Sequence, residues 1–102
     1  MTKATVAEIV TFHLKQGATP QEFLAAMQTM QPFVDRHGGV VGRTISRDAD
    51  GLWTDHVLWE SGAQAKALAA AFMAAPETEA ARNLIDETTL QMRHAPVLMH
   101  MS

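Results

Sequence analysis

Along residues 6–15 the chain alternates. Val10, Phe12 and Leu14 fall on one side, and Thr11, His13 and Lys15 on the other. A two-residue period belongs to a strand with one buried face, and Gly17 ends it. The period then changes. Thr19, Pro20 and Glu22 supply a capping hydroxyl, a proline suited to the first turn and a glutamate that closes a capping box. Phe23, Met27, Met30 and Val34 follow at helical spacing. Pro32 interrupts them, because proline has no N–H and clashes with the carbonyl four residues earlier. A kink near residues 28–31, or a second short helix starting at Pro32, is therefore expected. Gly38 and Gly39 close the segment.

Residues 40–47 read as a second strand and 52–60 as a third. Asp48-Ala49-Asp50-Gly51 turns between them, so the two form a hairpin. Ser61 caps an alanine-rich helix over 63–75 that places Leu68 and Phe72 on one side; Pro76 breaks it, and a second helical piece follows at about 77–86. The last strand is expected at 90–95. Pro96 marks it as an edge strand, since proline cannot donate to a ladder. The order β-α-β-β-α-β predicts an α+β, ferredoxin-like split βαβ fold. It consists of a four-stranded antiparallel sheet with both helical layers on one face, formed by a single domain over residues 1–102.

The third strand raises a question of environment. In WTDHVLWES, Trp53, Asp55, Val57 and Trp59 point one way, and Thr54, His56 and Leu58 the other. If one face is core, either Asp55 or His56 is buried, and a buried polar group needs a partner.

Composition narrows the classes of function. The formal net charge is −3 and the eight Lys and Arg are scattered, which argues against nucleic acid as a partner. The absence of cysteine removes disulfides, thiolate chemistry and Cys-ligated zinc. The opening MTKATVAEIV lacks the apolar stretch of a signal peptide, and no run approaches the roughly 20 apolar residues that span a bilayer. The expectation is a cytoplasmic protein without a membrane partner. No His pair has a metal-ligand spacing, and there is no nucleotide loop or Ser nucleophile motif.

FHLKQG before an acidic-capped helix, and LWES before an alanine-rich helix, resemble the dimeric α+β barrel superfamily, in particular its antibiotic-biosynthesis monooxygenase-like branch. The resemblance covers nearly the whole chain. It implies a homodimer in which two sheets meet face to face as a dimeric α/β barrel. Trp59 would then lie under the helices beside a cleft, and Thr11, His13, Thr54 and His56 would face the partner. It also implies a cofactor-independent monooxygenase acting on a small aromatic or enolisable compound. A non-catalytic, ligand-binding or stress-responsive barrel is the alternative. The haem-degrading members of the superfamily resemble this chain at Trp59. However, the positions of their Asn and His fall here at Val10 and near Arg82, and residues 63–86 contain no His, so haem is not expected to bind.

Within that frame the candidate catalytic residues are Asp55, Arg93 and His94, and the candidate ligand-binding residues are Trp53, Trp59, His56 and Arg43, with no metal or organic cofactor. An acid among apolar side chains keeps its proton more readily and suits a general base; the structural alternative pairs Asp55 with Arg43, Arg82 or Arg93. Arg93 and His94 are adjacent and should face opposite ways, so that one supplies an anion clamp or a proton donor and the other is structural. Trp53 and Trp59 line a flat site or are simply core aromatics. His56 is a proton shuttle or a hydrogen-bonded residue of the dimer contact.

Overall fold

The computed structural model describes residues 3–101. Strand β1 (Val6–Leu14) leads into helices α1 (Pro20–Thr29) and α2 (Gln31–His37). The hairpin of β2 (Val40–Arg47) and β3 (Trp53–Trp59) follows, then α3 (Gly62–Phe72), a 3-10 turn (Pro76–Thr78), α4 (Glu79–Leu84) and β4 (Ile85–Pro96). The strands form one sheet in the order β2-β3-β1-β4, with every neighbouring pair antiparallel. This is the ferredoxin-like arrangement expected from the sequence, with β4 at an edge.

Local chemistry explains most boundaries. Thr19 Oγ1 accepts from the Glu22 N–H at 3.2 Å and Glu22 Oε1 accepts from the Thr19 N–H at 3.0 Å, a closed capping box. Pro32 breaks the helix instead of kinking it. Met30 ends α1 and also caps α2, which places the proline in a first turn where its missing N–H costs nothing. In the β2–β3 turn, Asp48 Oδ1 accepts from the N–H groups of Asp50 and Leu52, both at 2.9 Å, and Gly51 takes a φ of 86° that a side chain would oppose.

The last strand departs from expectation. It starts at Ile85, within the stretch expected to finish a helix, while α4 ends at Leu84. The pairing with β1 jumps from Thr11↔Gln91 to His13↔Asp86, so the polar run between them forms a bulge. Side chains hold that bulge together. Thr89 Oγ1 accepts from the His13 N–H at 2.9 Å and donates to the Asp86 carbonyl at 2.7 Å. Asp86 Oδ1 accepts from the Thr88 N–H and hydroxyl at 3.1 and 2.7 Å. Those bonds from Thr88 hold the Asp86 carboxyl below its ordinary range.

The helix-side core is built on an aromatic group. Phe12 and Trp53 stack with centroids 6.4 Å apart, and Phe23 meets Trp53 edge-on at 4.9 Å. Met30, Phe33 and Val34 complete it from the helices. A smaller cluster forms where Trp59 and Val57 pack on Ala65 of α3. The small alanine lets that helix approach the indole closely.

Candidate functional site

Between the sheet and the helices lies a cavity of about 250 Å³. Its floor is the inward-facing row of the sheet, with Val10 and Phe12 from β1 and Val57 and Trp59 from β3. Met27, Met30, Leu68 and Phe72 form the roof, and Leu90 and Met92 close the β4 side. Three charged side chains reach this otherwise apolar wall: Glu8, Arg43 and Asp55.

Asp55 has the partner that its burial requires. Arg43 Nε donates to Oδ1 at 2.9 Å and Nη2 donates to Oδ2 at 2.5 Å, with the two side chains 18% and 13% exposed. The fork engages both carboxylate oxygens. Register brings this about: Arg43 sits opposite Val57 and Ile45 opposite Asp55, so the two charges lie on a diagonal of the β2–β3 ladder. Asp55 therefore stands in the cavity wall as one half of an ion pair.

The second polar group is Glu8, which sequence reasoning did not single out. It is 6% exposed, and its Oε2 lies 2.7 Å from His94 Nε2 on the neighbouring strand, where the two residues are register partners. A signal for it was present in the sequence. Glu8 shares the phase of Val10 and Phe12, so an acid occupies a position that the alternation assigns to the core. The third feature is the Trp59 indole. Trp59 is fully buried on the cavity wall, and its Nε1–H has no hydrogen-bond partner among the described residues. A buried donor left unpaired is uncommon and calls for an acceptor.

The structure separates the other candidates. His94 lies on the helix side behind Glu8, while Arg93 pairs in register with Ile9 and faces the opposite side of the sheet. His56 shares that opposite face, is exposed, and its imidazole makes no hydrogen bond among the described residues. Trp53 is core, stacked on Phe12 and met edge-on by Phe23, and does not line the cavity. Arg82, near the position of the haem-ligating His in the resembling enzymes, donates from Nε to Thr78 Oγ1 at 3.0 Å and from Nη2 to the Ala75 carbonyl at 3.1 Å, pinning the turn after α3. Among the described residues no group of three or more His, Asp or Glu is gathered as a metal would require, and no helix is long and apolar enough to cross a membrane.

No protein-family profile and no curated protein matches this chain by sequence. Solved structures do match. A candidate antibiotic biosynthesis monooxygenase from Bordetella bronchiseptica superposes with a TM-score of 0.75 at 19% identity, over 95% of this chain and 100% of that one. SnoaB, a cofactor-independent oxygenase from Streptomyces nogalater, superposes with a TM-score of 0.62 at 17% identity, over 98% and 97% of the two chains. A dimeric ferredoxin-like protein from an uncultured marine organism gives 0.66 at 6% identity, over 99% and 94%. The chain thus has the ferredoxin-like fold of antibiotic-biosynthesis monooxygenase-like proteins.

Proposed function

We propose that the helix-side cavity binds a small, flat, mostly apolar compound carrying one acceptor oxygen and an acidic C–H, and oxygenates it with dioxygen without a metal or organic cofactor. The observation that carries this reading is the unpaired Trp59 N–H on the wall of an apolar cavity. A carbonyl or phenol oxygen of a bound compound would satisfy it. The bond would strengthen as that oxygen gains charge in an enolate, which is the differential stabilisation that speeds a reaction. Removing a proton from the ring CH₂ gives the enolate. Dioxygen takes up its electrons, a hydroperoxide forms, and loss of water leaves a ketone: CH₂ + O₂ → C=O + H₂O. The solved structure of a cofactor-independent oxygenase with the same fold supports the reaction class.

The test is a panel of anthrones, with hydroquinones and catechols as phenols that lack the CH₂, in metal-free buffer, scored for oxygen uptake by the native chain and by Trp59→Phe. The phenylalanine keeps the ring burial and removes the donor. Loss of one such oxyanion donor lowers turnover roughly 100-fold or more. Compounds that raise the melting temperature without being consumed would leave a non-catalytic binding protein, and no effect of any compound would end both readings.

The assembly belongs to the same proposal. A second copy of the chain covers the open face of the sheet, where Ile9, Thr11, Thr54 and Leu58 are only half-buried in the single chain, and a dimeric protein shares the fold. Such an interface should bury about 800 Å² or more per partner. Light scattering that gave a monomer mass at micromolar concentration would refute it.

A further inference from the structure

Of the two carboxylates in the cavity wall, Asp55 has both oxygens taken by Arg43. Glu8 has one taken by His94, through Oε2, while Oε1 receives no hydrogen bond from the described side chains. The two acids sit on adjacent strands, with Glu8 opposite Val57 and Val10 opposite Asp55. Behind Glu8, on the edge strand β4, the His94 side chain is 35% exposed. Cavity, carboxylate, imidazole and water thus follow one another in a line across β1 and β4.

We infer that Glu8 is the catalytic residue that takes the proton from the compound held in the cavity, and that His94 carries that proton out to solvent. This rests on the reading of the cavity as an enolate-forming site. The ligand C–H bond breaks, its electron pair stays on the ligand as the enolate, and the proton goes to Glu8 Oε1. In the resting carboxylate His94 Nε2–H donates to Oε2. Once Oε1 holds the proton, the partly exposed ring turns out to water, exchanges to its Nδ1–H tautomer and returns with Nε2 unprotonated. A half-turn of the carboxyl brings the O–H to Nε2, which takes the proton while Nδ1 releases one to water, so the ring ends again as Nε2–H. The carboxylate is restored for the next turnover.

The local chemistry favours a working role over a packing one. Glu8 lies between Val6 and Val10 on the buried row, where an apolar residue would pack without the desolvation that a carboxylate suffers. The other charged groups facing it are Arg43 from β2, Asp55 from β3 and His94 from β4. The helices offer the cavity only apolar side chains, among them Met27, Met30 and Leu68.

Deuterium exchange at the acidic CH₂ of anthrone, followed by mass spectrometry in D₂O without oxygen, isolates the proton step from the oxygenation. Oxygen uptake is then measured in air. Glu8→Gln should lower the exchange rate roughly 100-fold or more, as loss of a general base does. His94→Gln should slow it less, and added imidazole should restore the rate because the ring position is open to water. A folded Glu8→Gln that exchanges at the native rate overturns the assignment, as does a loss confined to Asp55→Asn. If Glu8→Gln does not fold, His94→Gln decides: slowing with imidazole rescue supports the relay, and an unchanged rate overturns it. Exchange that depends on Glu8 without oxygen uptake keeps the assignment and removes the oxygenase reading. Neither exchange nor uptake by the native chain overturns both.

Discussion

Asp55 and His56 are neighbours on β3 and occupy opposite sides of the sheet. Asp55 faces the helices, is largely buried and is forked by Arg43. His56 faces away and is exposed in the single chain, its side chain without a hydrogen bond among the described residues. The same contrast runs across the whole sheet. The inner face bears aromatic and branched residues, and its largely buried charged groups Glu8, Arg43 and Asp55 each have a partner. The outer face carries Thr11, Thr54 and Thr44 among Ile9 and Leu58. The inner face is covered by the chain's own helices and leaves the Trp59 N–H for a bound compound, whereas the outer face has the mixed composition of a surface that a second copy would finish. The burial pattern of the single chain describes the outer residues as they stand without the proposed second copy.

The strongest way to break this comparison is on the inner face. Asp55→Ala leaves Arg43 buried and unpaired, and is expected to destabilise the fold by about 3–5 kcal/mol in urea unfolding. Replacing both partners with apolar residues, Arg43→Met with Asp55→Leu, should recover most of that loss. An Asp55→Ala chain as stable as the native one would mean that the ion pair is not the reason Asp55 tolerates burial.

On the outer face, Leu58→Asp should leave the secondary structure intact and weaken self-association by about 2 kcal/mol or more, the loss typical of a central interface residue. Sedimentation across a concentration series would read it. Equal melting temperatures at low and high protein concentration in the native chain would deny the outer face its proposed role. His56→Ala sharpens the same contrast at smaller scale. It should weaken the dimer by about 1 kcal/mol through a lost interface hydrogen bond, with ligand binding in the cavity unchanged. Lost ligand binding with unaltered dimer stability would reverse the assignment of the two faces.

The smallest effect is expected at the β4 bulge. Thr88 depresses the Asp86 carboxyl, so its contribution is fully present above its unfolded value and disappears as pH falls through the lowered folded value. Native chain and Asp86→Asn should therefore differ slightly in melting temperature at pH 7. The difference should shrink only below about pH 4, the ordinary carboxylate range. A gap that persists unchanged into strong acid would show that the bulge is held by something other than this carboxylate.

Periodicity alone placed three strands and both helical layers, because each element repeats its apolar residues at its own period and carries its own punctuation: Thr19 and Pro20, Gly38 and Gly39, Asp48 to Gly51, and Ser61. It also put Asp55 and His56, and Arg93 and His94, on opposite sides, since adjacent strand residues have no alternative. The start of β4 was not legible. Asp86 to Thr89 is polar and without period, and it becomes part of a strand only because the His13 backbone and the side chains of Asp86 and Thr89 tie the bulge together. Only the tertiary structure decided which arginine answers Asp55, since Arg43, Arg82 and Arg93 are equivalent on paper, and β2–β3 register is what brings Arg43 within reach. The structure likewise revealed Glu8, whose partner His94 stands 86 positions away along the chain. Side-chain phase is local and can be read from a strand, but pairing across strands depends on register, which the whole sheet fixes at once.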